Sequence, residues 1–153
     1  MNVAKKALPL WGLDAADVTL IAARENSVYR VDHATGRFAL RLHRPGYRTD
    51  EQLAAELEWM AWIARSGLST PVPRASVNGS LLQIVDGVQV DVLSWLSGET
   101  LDAMLTTTDD GERARLSHGL GRDMAKLHIA SDAWPGGTSC ARPAWDVDGL
   151  LGD

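Results

Sequence analysis

The sequence predicts an α+β chain: about five antiparallel strands in one sheet, one helix packed on it after the third strand, and further helices behind. Three observations carry this. Residues 37–45, Arg-Phe-Ala-Leu-Arg-Leu-His-Arg-Pro, alternate as a strand, with Phe38, Leu40 and Leu42 on one side and Arg37, Ala39, Arg41 and His43 on the other. Residues 49–64 follow a helical period instead. At about 100° per residue, Leu53, Leu57, Met60, Ile63 and Ala64 share one arc, opposite Glu51, Glu58 and Arg65. Finally, Asp86-Gly87 between β-branched runs favours a tight type I′ hairpin turn.

The remaining elements fall in place around these. Residues 3–10 predict a short helix and residues 13–16 a turn. Residues 18–23 and 28–32 are β-capable runs, joined as a hairpin through Arg24-Glu25-Asn26-Ser27. His33-Ala34-Thr35-Gly36 turns the chain into the third strand, which Pro45-Gly46 ends because proline cannot donate to a ladder. Thr49 or Asp50 caps the helix, and Gly67 closes it in a left-handed cap. Pro71-Val72-Pro73 forces an extended connection. Residues 81–85 and 88–95 supply the last two strands. Helical patterns resume over 99–105 and 110–131, the latter with Leu116, Leu120, Met124 and Leu127 on one side.

Composition bounds the function. The chain has 153 residues, 45% hydrophobic and 23% charged, as expected of an ordinary globular chain. A formal net charge of −5 argues against a protein built to hold nucleic acid or an anionic membrane, although Arg37, Arg41, His43, Arg44 and Arg48 form a local basic cluster. Cys140 is the one cysteine, which excludes an internal disulfide and fits a reducing compartment. The basic N-terminus leads into an apolar run broken by Pro9 and Gly12, too short for a signal peptide or a membrane span. The cytoplasm is the expected location.

One residue breaks the helical pattern. Glu56 lies inside the apolar arc, and a carboxylate facing a core is costly unless a cation or hydrogen-bond donors meet it. Arg41, in mid-strand, is the nearest candidate. Such a pair is either a structural ion pair on a half-buried sheet or a device that holds an anionic ligand, and both readings stay open on these two residues alone.

The pieces Glu25-Asn26-Ser27-Val28-Tyr29-Arg30-Val31, Leu40-Arg41-Leu42-His43-Arg44-Pro45, Glu56 through Pro71-Val72-Pro73, Trp95-Leu96-Ser97-Gly98, residues 120–128 and Arg142-Pro143-Ala144-Trp145-Asp146 occur in an informative order. With them the chain resembles the aminoglycoside phosphotransferase family, near its homoserine-kinase-type branch, over nearly its whole length. The register Phe-Ala-Leu-Arg is similar to the kinase Val-Ala-Ile-Lys pattern, with arginine in place of lysine. The resemblance implies a protein-kinase-like fold that binds ATP (or GTP) with Mg²⁺ and transfers the γ-phosphoryl to a small-molecule hydroxyl. By position it implies that Arg41 meets the nucleotide phosphates and Glu56 holds it. Asn26 and Ser27 would cover the phosphates, Ala39 would pack on the base, and Ser94, Trp95 and Leu96 would form the hinge.

The family's catalytic loop, His-Gly-Asp followed by an asparagine, does not occur in this sequence. His118-Gly119-Leu120 has leucine where the aspartate belongs, and Gly121-Arg122-Asp123 is followed by His128 rather than asparagine five residues on. Asp146 and Asp148 read as a surface pair more readily than as metal ligands, and no histidine spacing marks a metal site. The expectation is therefore a nucleotide-binding lobe over residues 1–96 and, over 97–153, a hinge and the start of a helical lobe, with no catalytic residue and the metal ligands outside this chain. An enzyme fragment and a non-catalytic nucleotide- or protein-binding module are the two functional expectations. The helical stripe at Leu116, Leu120, Met124 and Leu127 suggests a homo-oligomer.

Overall fold

A computed structural model describes residues 2–142. Its centre is a five-stranded antiparallel sheet of β1 (Asp17–Ala23), β2 (Ser27–His33), β3 (Gly36–Leu42), β4 (Leu82–Val85) and β5 (Val88–Ser94), in the spatial order β1-β2-β3-β5-β4. Helix α2 (Asp50–Arg65) is inserted between β3 and β4, so β5 rather than β4 pairs with β3. α1 (Asn2–Ala7) precedes the sheet, and α3 (Leu101–Leu105) and α4 (Asp110–Asp132) follow it. The α+β architecture expected from the sequence, five antiparallel strands with a helix after the third, is present.

Local chemistry accounts for the boundaries. Thr49 starts α2 with a complete capping box: its hydroxyl accepts from the Gln52 N–H, and the Gln52 side chain accepts from the Thr49 N–H. Gly67, at φ +86°, follows the last turn, in the left-handed region that a side chain disfavours. Asp86 and Gly87 both have positive φ, as a type I′ turn requires.

The sheet has two unlike faces. Phe38, Leu40 and Leu42 meet α1 and the 3-10 turn Leu8–Trp11, in a core that includes Ala4, Ala7, Trp11, Val31, Val90 and Val92. The Trp11 indole N–H donates to the Arg74 carbonyl at 2.8 Å, which gives its polar end a partner inside that core. α2 lies on the other side, burying Leu53, Leu57 and Ile63, and places Glu56 against β3. Strand alternation separated these faces correctly, but it did not show that the apolar one belongs to the N-terminal helix.

Leu40 is fully buried at the centre of this core. Replacing it with alanine is expected to destabilise the chain by about 2–5 kcal/mol through lost transfer energy and a residual cavity, measured as a lowered urea midpoint at unchanged slope.

Candidate functional site

The polar face of β3 gathers the charges. Arg41 pairs across the ladder with Asp91 of β5, which puts both side chains on the face that α2 covers. Asp91 is fully buried. Arg41 donates to it twice, Nε to Oδ1 and Nη2 to Oδ2, both at 2.8 Å, and Nη1 donates to Glu56 Oε1 at 3.0 Å. His43 Nε2 lies 2.7 Å from Asp91 Oδ2, and Arg142 Nη1 is 3.2 Å from the second Glu56 oxygen. Two guanidinium groups, two carboxylates and an imidazole therefore form one continuous network.

Burial works to raise the Asp91 carboxyl, but the hydrogen bonds from His43 and Arg41 prevail and hold it below the ordinary aspartate value. For Arg41, burial works toward loss of the proton and is outweighed by the bonds to Asp91 and Glu56, so its pKa is raised. Both groups stay charged at neutral pH. Arg41 has five N–H donors, and among the described residues three are engaged, leaving one on each terminal nitrogen. Guanidinium N–H donors of this kind are what phosphate oxygens accept.

The structure brings Arg41 and Glu56 together as their spacing suggested. It also adds Asp91 and His43, which sequence reading missed. Asp91 follows Val90 and precedes Val92 in an apolar run, and that isolated carboxylate in a central strand was the available signal. In the sequence Arg142 belongs to the Arg-Pro-Ala-Trp-Asp motif, of which Pro143, Ala144, Trp145 and Asp146, like Asp148, lie outside the described residues.

The other anticipated positions are spread around this pair. Ala39 lies on the same face, paired with Leu93 of β5 and Arg30 of β2, and Val28 pairs with Arg41. Val28, Ala39 and Leu93 are thus apolar positions on the same face as the charged network, with Arg30 beside Ala39 and Leu93 buried. Asn26 sits in the β1–β2 turn, where its Oδ1 accepts from the Arg44 N–H, and Ser27 opens β2 opposite Leu42. At the far end the Ser94 N–H donates to the Val72 carbonyl and its hydroxyl accepts from the Val72 N–H. The Trp95 N–H is taken by the Arg37 carbonyl, and Leu96 is exposed.

Behind the network a cavity of about 690 Å³ runs between α2 and the end of α4. Arg41, Glu56 and Arg142 are among its lining residues, and Trp59, Leu127 and Trp134 contribute to its apolar walls. Two tryptophans fasten α4 to α2: Trp59 Nε1 donates to the Ser131 hydroxyl at 3.2 Å and Trp62 Nε1 to the Ala130 carbonyl at 2.8 Å. Among the described residues no group of three or more His, Cys, Asp or Glu is gathered to hold a metal ion, and no helix is long and apolar enough to cross a membrane.

Residues 17–150 match the phosphotransferase enzyme family, APH. The chain belongs to this family. An uncharacterized protein of Deinococcus radiodurans is 29% identical over 147 residues, which cover 92% of this chain and 39% of that protein. A homoserine kinase of Phenylobacterium zucineum is 28% identical over 113 residues, covering 72% of this chain and 32% of the kinase. Among solved structures, a microcompartment-associated aminopropanol kinase superposes with a TM-score of 0.76 at 26% identity, over 99% of this chain and 46% of that one. An amicoumacin kinase, solved with AMP-PNP, Ca²⁺ and Ami, shares the fold with a TM-score of 0.79 at 19% identity, over 94% of this chain and 43% of the kinase. The chain therefore spans less than half the length of these relatives.

The depressed Asp91 pKa carries a stability consequence. A folded-state value below the unfolded one means that the stabilisation is complete above the unfolded pKa, about 3.9, and is lost as pH falls through the folded value. Urea midpoints of the wild type should therefore fall on acidification below about pH 4. Asp91→Asn should start lower at neutral pH, by about 3–5 kcal/mol for a broken buried pair, and lose less on acidification.

Proposed function

We propose that this chain is the ATP-binding portion of a small-molecule kinase. Arg41 of β3, held between Asp91 and Glu56 with two N–H donors unengaged among the described residues, is the observation that carries this reading. Family membership and the kinase-like fold support it. The amicoumacin kinase with the same fold was solved with a nucleotide analogue and a divalent cation, which supports a metal–nucleotide complex as the ligand.

The residues present suit that ligand. Arg41 would meet the phosphates, with Glu56 holding it. Asn26 and Ser27 would cover them from the β1–β2 turn. The base would rest on Ala39, with Val28 and Leu93 beside it, and Ser94, Trp95 and Leu96 would line its edge as the hinge. ATP (or GTP) would supply the γ-phosphoryl group, and Mg²⁺ would take its protein ligands from outside this chain. In this reading residues 1–96 are the nucleotide lobe, residues 97–153 begin the helical lobe, and the chain alone does not turn over substrate. The acceptor is a small-molecule hydroxyl, and the working location is the cytoplasm.

One observation favours a second reading, a non-catalytic nucleotide- or protein-binding module. Three of the five Arg41 donors are already engaged within the protein, as in a purely structural ion pair.

Calorimetric titration of Mg-ATP separates the two. Saturable binding by the wild type that Arg41→Ala weakens by at least about tenfold, the worth of a charge-assisted hydrogen bond, is the expected result. A folded wild type that takes up no heat would sink the kinase reading for this chain.

Self-association is part of the same proposal. Leu120, Met124 and Ile129 leave apolar surface on α4. Light scattering across a concentration series should give a mass above the 16.5 kDa of one chain, and a monodisperse monomer would refute it.

A further inference from the structure

We propose that Asp91 is the positioning residue of the candidate phosphate site: it acts through Arg41, holding one edge of the guanidinium so that the remaining N–H of each terminal nitrogen is presented to a nucleotide phosphate. The inference rests on the nucleotide reading above and deepens it.

A fully buried carboxylate in a central strand is a costly choice. Its neighbours Val90, Val92 and Leu93 are buried and apolar, and an apolar residue at 91 would avoid the desolvation of two charges. What the carboxylate provides is geometry. It takes the Nε–Nη2 edge of Arg41 side-on through both oxygens, from the residue directly opposite in the β3–β5 ladder. His43 meets Oδ2 from the same face of β3, so three donor contacts fix the plane of the carboxylate. Glu56 makes one bond to Arg41 and also meets Arg142. The stiff anchor of the guanidinium is therefore a strand-to-strand pair, with the helix carboxylate as an adjunct.

This arrangement needs arginine. A guanidinium can give one edge to Asp91, one N–H to Glu56 and still keep a planar pair of donors. A lysine ammonium has three donors on one atom; with one each for Asp91 and Glu56, a single N–H would remain and no fork. Arginine at 41 and aspartate at 91 thus form one unit.

The test is calorimetric titration of Mg-ATP, and separately of adenosine, into the wild type, Asp91→Asn and Arg41→Lys. Both variants should weaken Mg-ATP by about ten- to hundredfold, the worth of one charge-assisted hydrogen bond, while adenosine, which has no phosphate, is held as in the wild type. Unchanged or tighter Mg-ATP binding by folded Asp91→Asn would overturn the inference, because Asp91 would then only neutralise Arg41. An equal loss of adenosine would also overturn it, as a general effect on the fold. If Asp91→Asn does not fold, Arg41→Lys decides by the same outcomes. A wild type that binds no Mg-ATP overturns the nucleotide reading and this inference together; wild-type binding with indifferent variants overturns this inference alone.

Discussion

The ionised, water-excluded carboxylate of Asp91 is the constraint on which the rest of the arrangement depends. A charge in that position is tolerable only with hydrogen-bond donors in contact and a cation beside it. Arg41 and His43 meet both needs, and they can do so only in one register of β3 against β5, because a shift by one residue would send Arg41 to the apolar face. Arg41 in turn sets where Glu56, and so α2, can lie, and Glu56 reaches Arg142 near the end of the described chain. Sheet register, helix position and the approach of the later segment are therefore linked by one network.

The two faces of the sheet divide the physical tasks. The face toward α1 holds the continuous hydrophobic core, with Trp11, Leu40, Val90 and Val92 close-packed and removed from water. That core leaves the opposite face free to carry charge. There, Val28, Ala39 and Leu93 lie on the same face as the Arg41 network. Insertion of α2 after β3 makes this possible, since it brings a helix carboxylate over the strand while β5 closes the ladder from the other side.

α4 joins this assembly through α2 rather than through the sheet. The indole donors of Trp59 and Trp62 each find an oxygen near its C-terminal end, at Ser131 and Ala130. Directional bonds at one end, with Leu120 and Met124 about half exposed further back, describe a helix held at its tip. The cavity between α2 and α4 shares Arg41, Glu56 and Arg142 with the charged network, so whatever occupies it borders the same charges.

Local chemistry in the sequence was enough to determine the elements of this protein. Alternation from Phe38 to Leu42, the helix N-cap at Thr49 (one of the two expected), Gly67 and the Asp86-Gly87 turn act over a few residues, and each is realised at its expected place. Glu56 was legible too, because a carboxylate within an apolar arc demands a partner, and the strand before it offered Arg41. Tertiary structure alone decided the rest. Asp91 lies 50 residues from Arg41, and no short-range signal states that β5 will sit beside β3. The same holds for the buried place of His43 and for Arg142, 86 residues beyond Glu56 (142 − 56). Propensity and periodicity act along the chain, whereas the desolvation that gives a buried charge its partners acts only after strands distant in sequence have met.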